Sequence, residues 1–273
     1  MYRIWKFLSS KGSAAAYAAI TAVFTFFPEE IFKFGFIHCN LSDTTVVVIN
    51  RLIVCIVIFA IANVIYYCYR RCRPSVIISE KTYTIKIEYG DLLNIKGGKK
   101  VINFDECFST NVGDKPEDIK LDSVCGQYLT RFPIDNIQDL INESKIKSID
   151  KSSFNNIDCY APGTIIQRGD FLLMAFAKLD KDGRGYLTYD QYLDSLDKLW
   201  EQIDLYHGTD DVYIPVLGSR ITRFNQELTQ QELLDIMIAT YRLSPKKLRK
   251  PNTLYIVCKE REDFSLNDIF GVD

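Results

Sequence analysis

The sequence predicts an α/β protein in which a two-helix transmembrane hairpin, residues 1–73, precedes an α/β/α sandwich with a mixed sheet, residues 74–273. Two apolar stretches flanked by basic residues occupy the first part. After them, an initial pair of strands leads into strands that alternate with segments of helical period. This order of elements is typical of a sheet covered by helices.

The first apolar stretch, residues 12–27, contains no charge, and the second, residues 46–69, is interrupted only by Asn50, Arg51 and Asn63. A helix needs about 20 apolar residues to cross a bilayer core, so the second stretch is long enough and the first is short. Small side chains in the first stretch favour close packing of the two helices. Asn50 and Asn63 are candidates for hydrogen bonds between them.

Charge asymmetry predicts the orientation of the hairpin. Before Pro74, basic residues outnumber acidic ones. The basic residues are Arg3, Lys6, Lys11, Lys33, Arg51, Arg70, Arg71 and Arg73, and the acidic ones are Glu29, Glu30 and Asp43. Positive residues at both outer ends of the hairpin favour cytoplasmic termini, with residues 28–45 outside. We therefore expect a multi-pass membrane protein with both termini in the cytoplasm. An N-terminal signal peptide is the alternative interpretation of the first stretch.

Arg51 is the unusual residue of the second apolar stretch. Near the outer end of its helix, the side chain can extend toward the lipid headgroups. The alternative is a membrane charge that pairs with another residue or lines a pore in an oligomer.

Composition limits the function classes. The net charge is −2 and the pI about 5.8, so no overall basic field indicates a nucleic-acid partner. Eight cysteines are scattered without a CxxC pair, and there are only two histidines. This excludes zinc-type spacing and predicts reduced, mostly buried cysteines, with no metal site and no cofactor.

Two predicted strands, residues 83–88 and 100–103, lead to the polar residues Asp91 and Asn103. In α/β sheets ligands bind outside the carboxyl ends of strands. Asp91 and Asn103 are therefore expected on the two sides of a crevice that binds a nucleotide.

The remaining pattern predicts further elements. Capping boxes at Thr188/Gln191 and Thr229/Glu232 open two long helices. The other predicted helices are residues 116–132, 135–141 and 264–270; the other predicted strands are 76–79, 164–168, 171–178, 212–216 and 254–258.

Residues 180–191 resemble a calcium-binding EF-hand loop in part. Arg184 stands at its fifth position, and Gln191 replaces the bidentate carboxylate at its twelfth. A glycine-rich turn between a strand and a helix is the preferred interpretation.

Gly218 and Ser219 lie between a predicted strand and a helix, where consecutive backbone N–H groups can hold an anion. Arg220, Thr222 and Arg223 add side-chain donors. A turn without any ligand is the alternative.

The residues Tyr89-Gly90-Asp91-Leu92-Leu93 and Val101-Ile102-Asn103 resemble the opening of a macro domain. This resemblance implies that the aspartate holds the adenine amino group of ADP-ribose and the asparagine its distal ribose. It also implies that Gly218-Ser219 is the second phosphate loop. Four further residues are expected at the ligand: Leu92, Phe104, Cys107 and Phe108.

The sequence departs from the macro pattern at Phe104-Asp105-Glu106-Cys107-Phe108. With the membrane segment, this departure is similar to the macro-type effectors of bacterial Thoeris anti-phage systems. The resemblance implies a signal derived from ADP-ribose, histidine-ADP-ribose, made by a TIR-domain partner that consumes NAD. It implies a homo-oligomer whose hairpins associate in the lipid bilayer and disrupt it, with no enzymatic activity of its own.

Two alternatives remain from the residues themselves. In a macro-type ADP-ribosyl hydrolase, Asp105 or Glu106 would act as general base beside the distal ribose. In a docking protein at the membrane, the α/β domain would bind a partner and no ligand.

Overall fold

The computed structural model describes residues 11–34, 42–219, 223–224, 228–261 and 264–269. The chain divides into two compact units, residues 1–73 and residues 74–272.

The N-terminal unit contains helix α1, Lys11–Phe26, a 3₁₀ turn, Glu29–Phe34, and helix α2, Asp43–Cys72. The helices pack side by side: the rings of Tyr17 and Phe59 lie 6.0 Å apart, and Ser13 donates to Asn63 Oδ1 at 3.5 Å. Within the described residues, only α2 is long and apolar enough to cross a membrane, over 26 residues with mean hydropathy 2.6. The apolar part of α1 is shorter, as its sequence predicts.

Arg51 has partners inside this unit. Its guanidinium lies 3.4 Å from Glu29 Oε1 and stands over the rings of Phe24 and Phe32, at 5.7 and 5.3 Å. Next to it, Asn50 donates to the backbone oxygen of Phe32 at 2.9 Å. Arg51 and Asn50 thus tie α2 to the segment that follows α1.

The second unit is built on a mixed sheet in the order β1-β2-β11-β9-β3-β7-β8-β10, with β6 also paired to β7. The run from β2 through β11, β9 and β3 to β7 is parallel, and β1, β6 and β8 join antiparallel. The strands of this sheet are β1 Ser75–Ser79, β2 Thr84–Tyr89, β3 Lys99–Asp105, β6 Ile165–Arg168, β7 Phe171–Leu179, β8 Gly185–Leu187, β9 Val212–Pro215, β10 Arg223–Phe224 and β11 Leu254–Cys258. A small separate ribbon pairs β4, Asp150–Lys151, with β5, Asp158–Cys159.

Helices pack on both faces of the sheet, which confirms the predicted α/β/α sandwich. Helices α5, Tyr189–Tyr206, and α6, Gln230–Leu243, contribute Trp200 and Tyr241 to one core. Both begin with the predicted capping boxes. On the other face, α3, Val124–Arg131, and α4, Ile137–Ser144, pack around Ile102 and Phe104.

Two predicted helices are wrong in extent. Residues 116–123 are not helical, because Ser123 caps α3 by accepting from Gly126 N, so the helix begins at Val124. Before it, the chain folds into a loop in which Val112 and Ile119 form an isolated bridge. Residues 264–269 form turns rather than the predicted last helix, with Phe264 and Leu266 as buried anchors; Phe270 lies outside the described residues.

Candidate functional site

A cleft opens at the carboxyl ends of β2, β9 and β11, beside β3. We call it the first cleft. It brings together Asp91 and Leu92 after β2, Asn103 in β3, and Gly218 and Ser219 after β9. These residues are far apart in sequence, and the parallel run of strands delivers them to one edge of the sheet, as expected for a ligand site of an α/β fold.

Asp91 is half-buried and its carboxylate is held firmly. Oδ1 accepts from Leu93 N at 3.0 Å, so Asp91 caps the short 3₁₀ turn Leu92–Asn94. Oδ2 accepts from the Asn94 amide at 2.8 Å and lies 3.5 Å from Arg131 Nη2. A carboxylate offers about two lone-pair positions on each oxygen, so Oδ1, which among the described residues accepts only from Leu93 N, can still accept from a ligand amino group.

Asn103 is partly buried near the carboxyl end of the central strand β3. Among the described residues its side-chain amide has no hydrogen-bond partner. A primary amide in such a position can both donate to and accept from a sugar hydroxyl.

The turn after β9 contains a glycine in a conformation that other residues rarely adopt. Gly218 has φ +79°, in the left-handed region that glycine adopts without strain. Arg261 Nη1 donates to the backbone oxygen of Ser219 at 2.9 Å, which fixes the turn from outside. Arg220, Thr222 and the side chain of Arg223 lie outside the described residues.

The start of α3 is a wall of the first cleft that the sequence did not predict. Asp122, Ser123, Val124 and Gln127 line it. Because the predicted helix began too early, these residues were not expected at a helix start. A serine immediately before an apolar pair is nevertheless a helix-start signal.

The end of β11 supplies a second set of unpredicted residues. Lys259 and Arg261 line the first cleft, as does Gln230 at the start of α6, whose amide donates to the backbone oxygen of Lys259 at 3.1 Å. Ligands of α/β sheets bind outside the carboxyl ends of strands, and both basic residues follow the last predicted strand. The sequence could therefore have predicted them as site residues.

A second cleft adjoins the first, and Asn103 and Ser123 line both. It extends over the loop before α3 and the turn between β7 and β8. Its described ionisable side chains are Asp105, Asp114, Glu117, Asp118, Lys120 and Arg184. The acids outnumber the bases, so the second cleft favours a ligand group with N–H donors or positive charge.

The aromatic residues after Asn103 are mainly core. Phe104 lines the second cleft yet is only 2% exposed. Phe108 is fully buried between Phe104 and Tyr160, with ring centroids 6.0 and 5.6 Å away. Cys107 packs against Cys159 and Leu179, and burial raises the pKa of its thiol to about 12. Neither Cys107 nor Phe108 is among the residues that line either cleft.

The two carboxylates after Phe104 accept hydrogen bonds from the protein itself, Asp105 within its own loop and Glu106 from two distant segments. Asp105 Oδ1 accepts from Cys107 N at 2.8 Å and Ser109 N at 3.1 Å, and burial raises the pKa of this carboxyl. Glu106 is buried and its Oε1 accepts from Ser152 Oγ and Leu179 N, at 3.1 and 3.0 Å. Both carboxylates are thus occupied by groups of the protein.

The EF-hand-like stretch is a turn between strands. Asp180 Oδ1 accepts from Asp182 N and Arg184 N, at 2.9 and 2.8 Å, and the chain continues into β8. The prediction of a turn from strand to helix is therefore wrong in its second half, because β8 intervenes before α5. Within the part of the chain that the structure describes, no group of His, Cys, Asp or Glu side chains has an arrangement that could hold a metal ion.

Comparisons with known proteins place this geometry in context. The family model for the macro domain of the Thoeris protein ThsA matches residues 85–259. The Thoeris protein ThsA of Bacillus amyloliquefaciens strain Y2 is 30% identical over 194 residues, which span 67% of this chain and 65% of that protein.

Among solved structures, the chain is similar to an Oceanobacillus iheyensis macrodomain with ADP, at 11% identity and a TM-score of 0.46, covering 68% of this chain and 89% of that one. It is also similar to the macrodomain of Thermus aquaticus DarG, at 14% identity and a TM-score of 0.38, covering 64% and 97%.

Proposed function

This chain belongs to the family of Thoeris ThsA macro domains, and on that premise we propose that it is a membrane effector of a bacterial anti-phage system that binds a nucleotide signal. The observation that carries the proposal is the meeting of Asp91, Asn103 and the Gly218-Ser219 turn in the first cleft. These groups suit the adenine amino group, the distal ribose and the diphosphate of an ADP-ribose derivative, in that order.

The signal is histidine-ADP-ribose, made from NAD by a TIR-domain partner. The second cleft supports a ligand longer than ADP-ribose, because it continues from Asn103, where the distal ribose would lie. Its excess of acids suits the imidazole and amino groups of histidine.

Signal binding changes the association of the hairpins in the bacterial inner membrane, with both termini cytoplasmic. The apolar length of α2 supports a span, and its packing against α1 supports a hairpin. One hairpin has too little surface to form a pore, so the mechanism requires a homo-oligomer. Membrane disruption then stops growth or kills the infected cell.

The macro-like unit acts as a sensor rather than a hydrolase. The hydrogen bonds that one oxygen of Asp105 accepts from its own loop, and one oxygen of Glu106 from Ser152 and Leu179, support this assignment, because a general base must be free to accept a proton from the attacking water.

Calorimetric titration of the full chain in nanodiscs tests the proposal, with ADP-ribose, histidine-ADP-ribose and NAD as ligands. We expect the tightest binding for histidine-ADP-ribose, recovery of that ligand unchanged, and a loss of at least about tenfold in Asp91→Ala and Asn103→Ala, each of which removes hydrogen bonds to the ligand.

Binding that survives both substitutions would exclude the first cleft as the site. Release of free ADP-ribose from a decorated ligand would favour the hydrolase. No binding of any of the three ligands would favour the docking protein.

A further inference from the structure

Two residues outside the lining of the first cleft, Arg131 and Asn94, contact Asp91. Arg131 is the last residue of α3, and its guanidinium spans the Asp91 turn: Nη1 donates to Asn94 Oδ1 at 2.9 Å, and Nη2 lies 3.5 Å from Asp91 Oδ2. The Asn94 amide closes the triangle by donating to the same Asp91 oxygen at 2.8 Å. We call Arg131, Asn94 and Asp91 the latch.

The latch and the cap act on different oxygens of one carboxylate. Leu93 N holds Oδ1, and the Asn94 amide and Arg131 hold Oδ2. With both oxygens tethered, rotation of the carboxylate about its bond to Cβ is restricted, and its remaining lone pairs point in fixed directions. A planar guanidinium suits this task, since it offers donors at a fixed angle to two acceptors.

The latch also connects two walls of the first cleft. The N-terminal end of α3 lines the cleft through Ser123, Val124 and Gln127, while its C-terminal residue Arg131 holds Asp91. A basic residue in the last turn of a helix is additionally favoured by the helix dipole.

From this geometry we infer that Arg131 is a positioning and specificity-determining residue: through Asn94 and Asp91 it makes the first cleft selective for a base with an exocyclic amino group over one with a carbonyl at the same place. The inference rests on the proposed function, because it takes Asp91 to be the residue that meets the base. An ordered carboxylate is an acceptor only, so it attracts an amino group and repels a carbonyl oxygen.

Loss of the latch is expected to weaken ligand binding and to leave the stability of the fold almost unchanged. Arg131 and Asp91 are 41% and 42% exposed, and an exposed pair of this kind contributes little to stability. Without Arg131, however, the Asp91 side chain must be ordered when the ligand binds. That ordering is expected to weaken binding about three- to tenfold.

The test compares ADP-ribose with its hypoxanthine counterpart, in which a carbonyl replaces the 6-amino group, by titration of the full chain in nanodiscs. The variants are Arg131→Ala, Arg131→Lys and Asn94→Ala. Arg242→Ala is a matched control, since its Nη2 also lies 3.5 Å from an acid, Glu80, with the two side chains 39% and 47% exposed.

We expect the wild type and Arg242→Ala to prefer ADP-ribose. Arg131→Ala should lose about three- to tenfold in ADP-ribose affinity and little for the hypoxanthine counterpart, so the preference shrinks. Arg131→Lys should restore part of it, because a lysine can reach Asp91 but cannot bond to both acceptors in the plane of the fork. The double variant Arg131→Ala/Asn94→Ala should lose less binding free energy for ADP-ribose than the two single variants lose together, as expected when both residues act as one unit.

An Arg131→Ala protein with the wild-type preference would overturn the inference and leave the proposed function standing. So would an equal loss for both ligands, which indicates a merely structural role. A wild type that binds neither ligand would overturn the proposed function and the inference together.

Discussion

The first and the second cleft share Asn103 and Ser123 but differ in how their walls are built. The first is lined by residues at the ends of strands and at the starts of α3 and α6, and its described ionisable side chains balance: Asp91 and Asp122 against Lys259 and Arg261. The second is lined largely by loops, and its acids outnumber its bases. A cleft with balanced charges at the ends of strands suits a fixed nucleotide, whereas an acidic cleft made of loops suits a group that varies between ligands. The predictions below separate the two clefts.

The largest effect is expected at Gly126, in the helix that borders both clefts. A Cβ added there would stand 2.3 Å from the backbone oxygen of Lys120. Gly126→Ala should therefore lower the free energy of unfolding by about 2 kcal/mol or more, although alanine inside a helix normally stabilises by about 1 kcal/mol. The midpoint of thermal unfolding in detergent measures this. An unchanged or higher midpoint would contradict the close approach.

An intermediate effect, confined to the first cleft, is expected at Gly218. Alanine at φ +79° costs about 1–2 kcal/mol, and relaxation of the turn would move the N–H groups that we propose to face the diphosphate. Gly218→Ala should weaken ADP-ribose binding about five- to tenfold in a calorimetric titration.

Gly169→Ala is the control, since Gly169 has φ +61°, open space around it and no place in the lining of either cleft. Equal losses of affinity in both variants would show that strain alone, and not the position of the turn, determines the result.

The smallest effect is expected in the second cleft. Asp114→Asn combined with Glu117→Gln removes two exposed acids and should weaken histidine-ADP-ribose about two- to fivefold, as for exposed charge pairs, with ADP-ribose unchanged. The control is Asp139→Asn with Glu143→Gln, two exposed acids of α4 that line neither cleft. If both ligands weaken equally in the first double variant, the second cleft does not bind the decoration.

Sequence patterns were most informative where one local signal determines one local structure. The capping boxes at Thr188 and Thr229 gave the starts of α5 and α6, because each cap satisfies N–H groups of its own first turn. The apolar run in the sequence likewise predicted the length of the span in α2, because such a run is itself a local feature of the sequence. The helical spacing of apolar residues gave a wrong prediction over residues 116–123. These residues belong to a loop held by hydrogen bonds of Asp118 and Lys120.

By itself, the sequence determined the apolar helix, seven of the nine strands of the main sheet and the polar residues that follow two of them, since these depend on periodicity and on caps a few residues apart; the short strands β8 and β10 were not predicted. Only the tertiary structure decided which polar residues share a cleft. Parallel pairing of β2, β11, β9 and β3 brings Asp91, Asn103, Gly218 and Arg261 to one edge, and pairing order is a long-range property that no local pattern encodes. The burial of Phe108, the second cleft and the latch of Arg131 on Asp91 follow from that packing for the same reason.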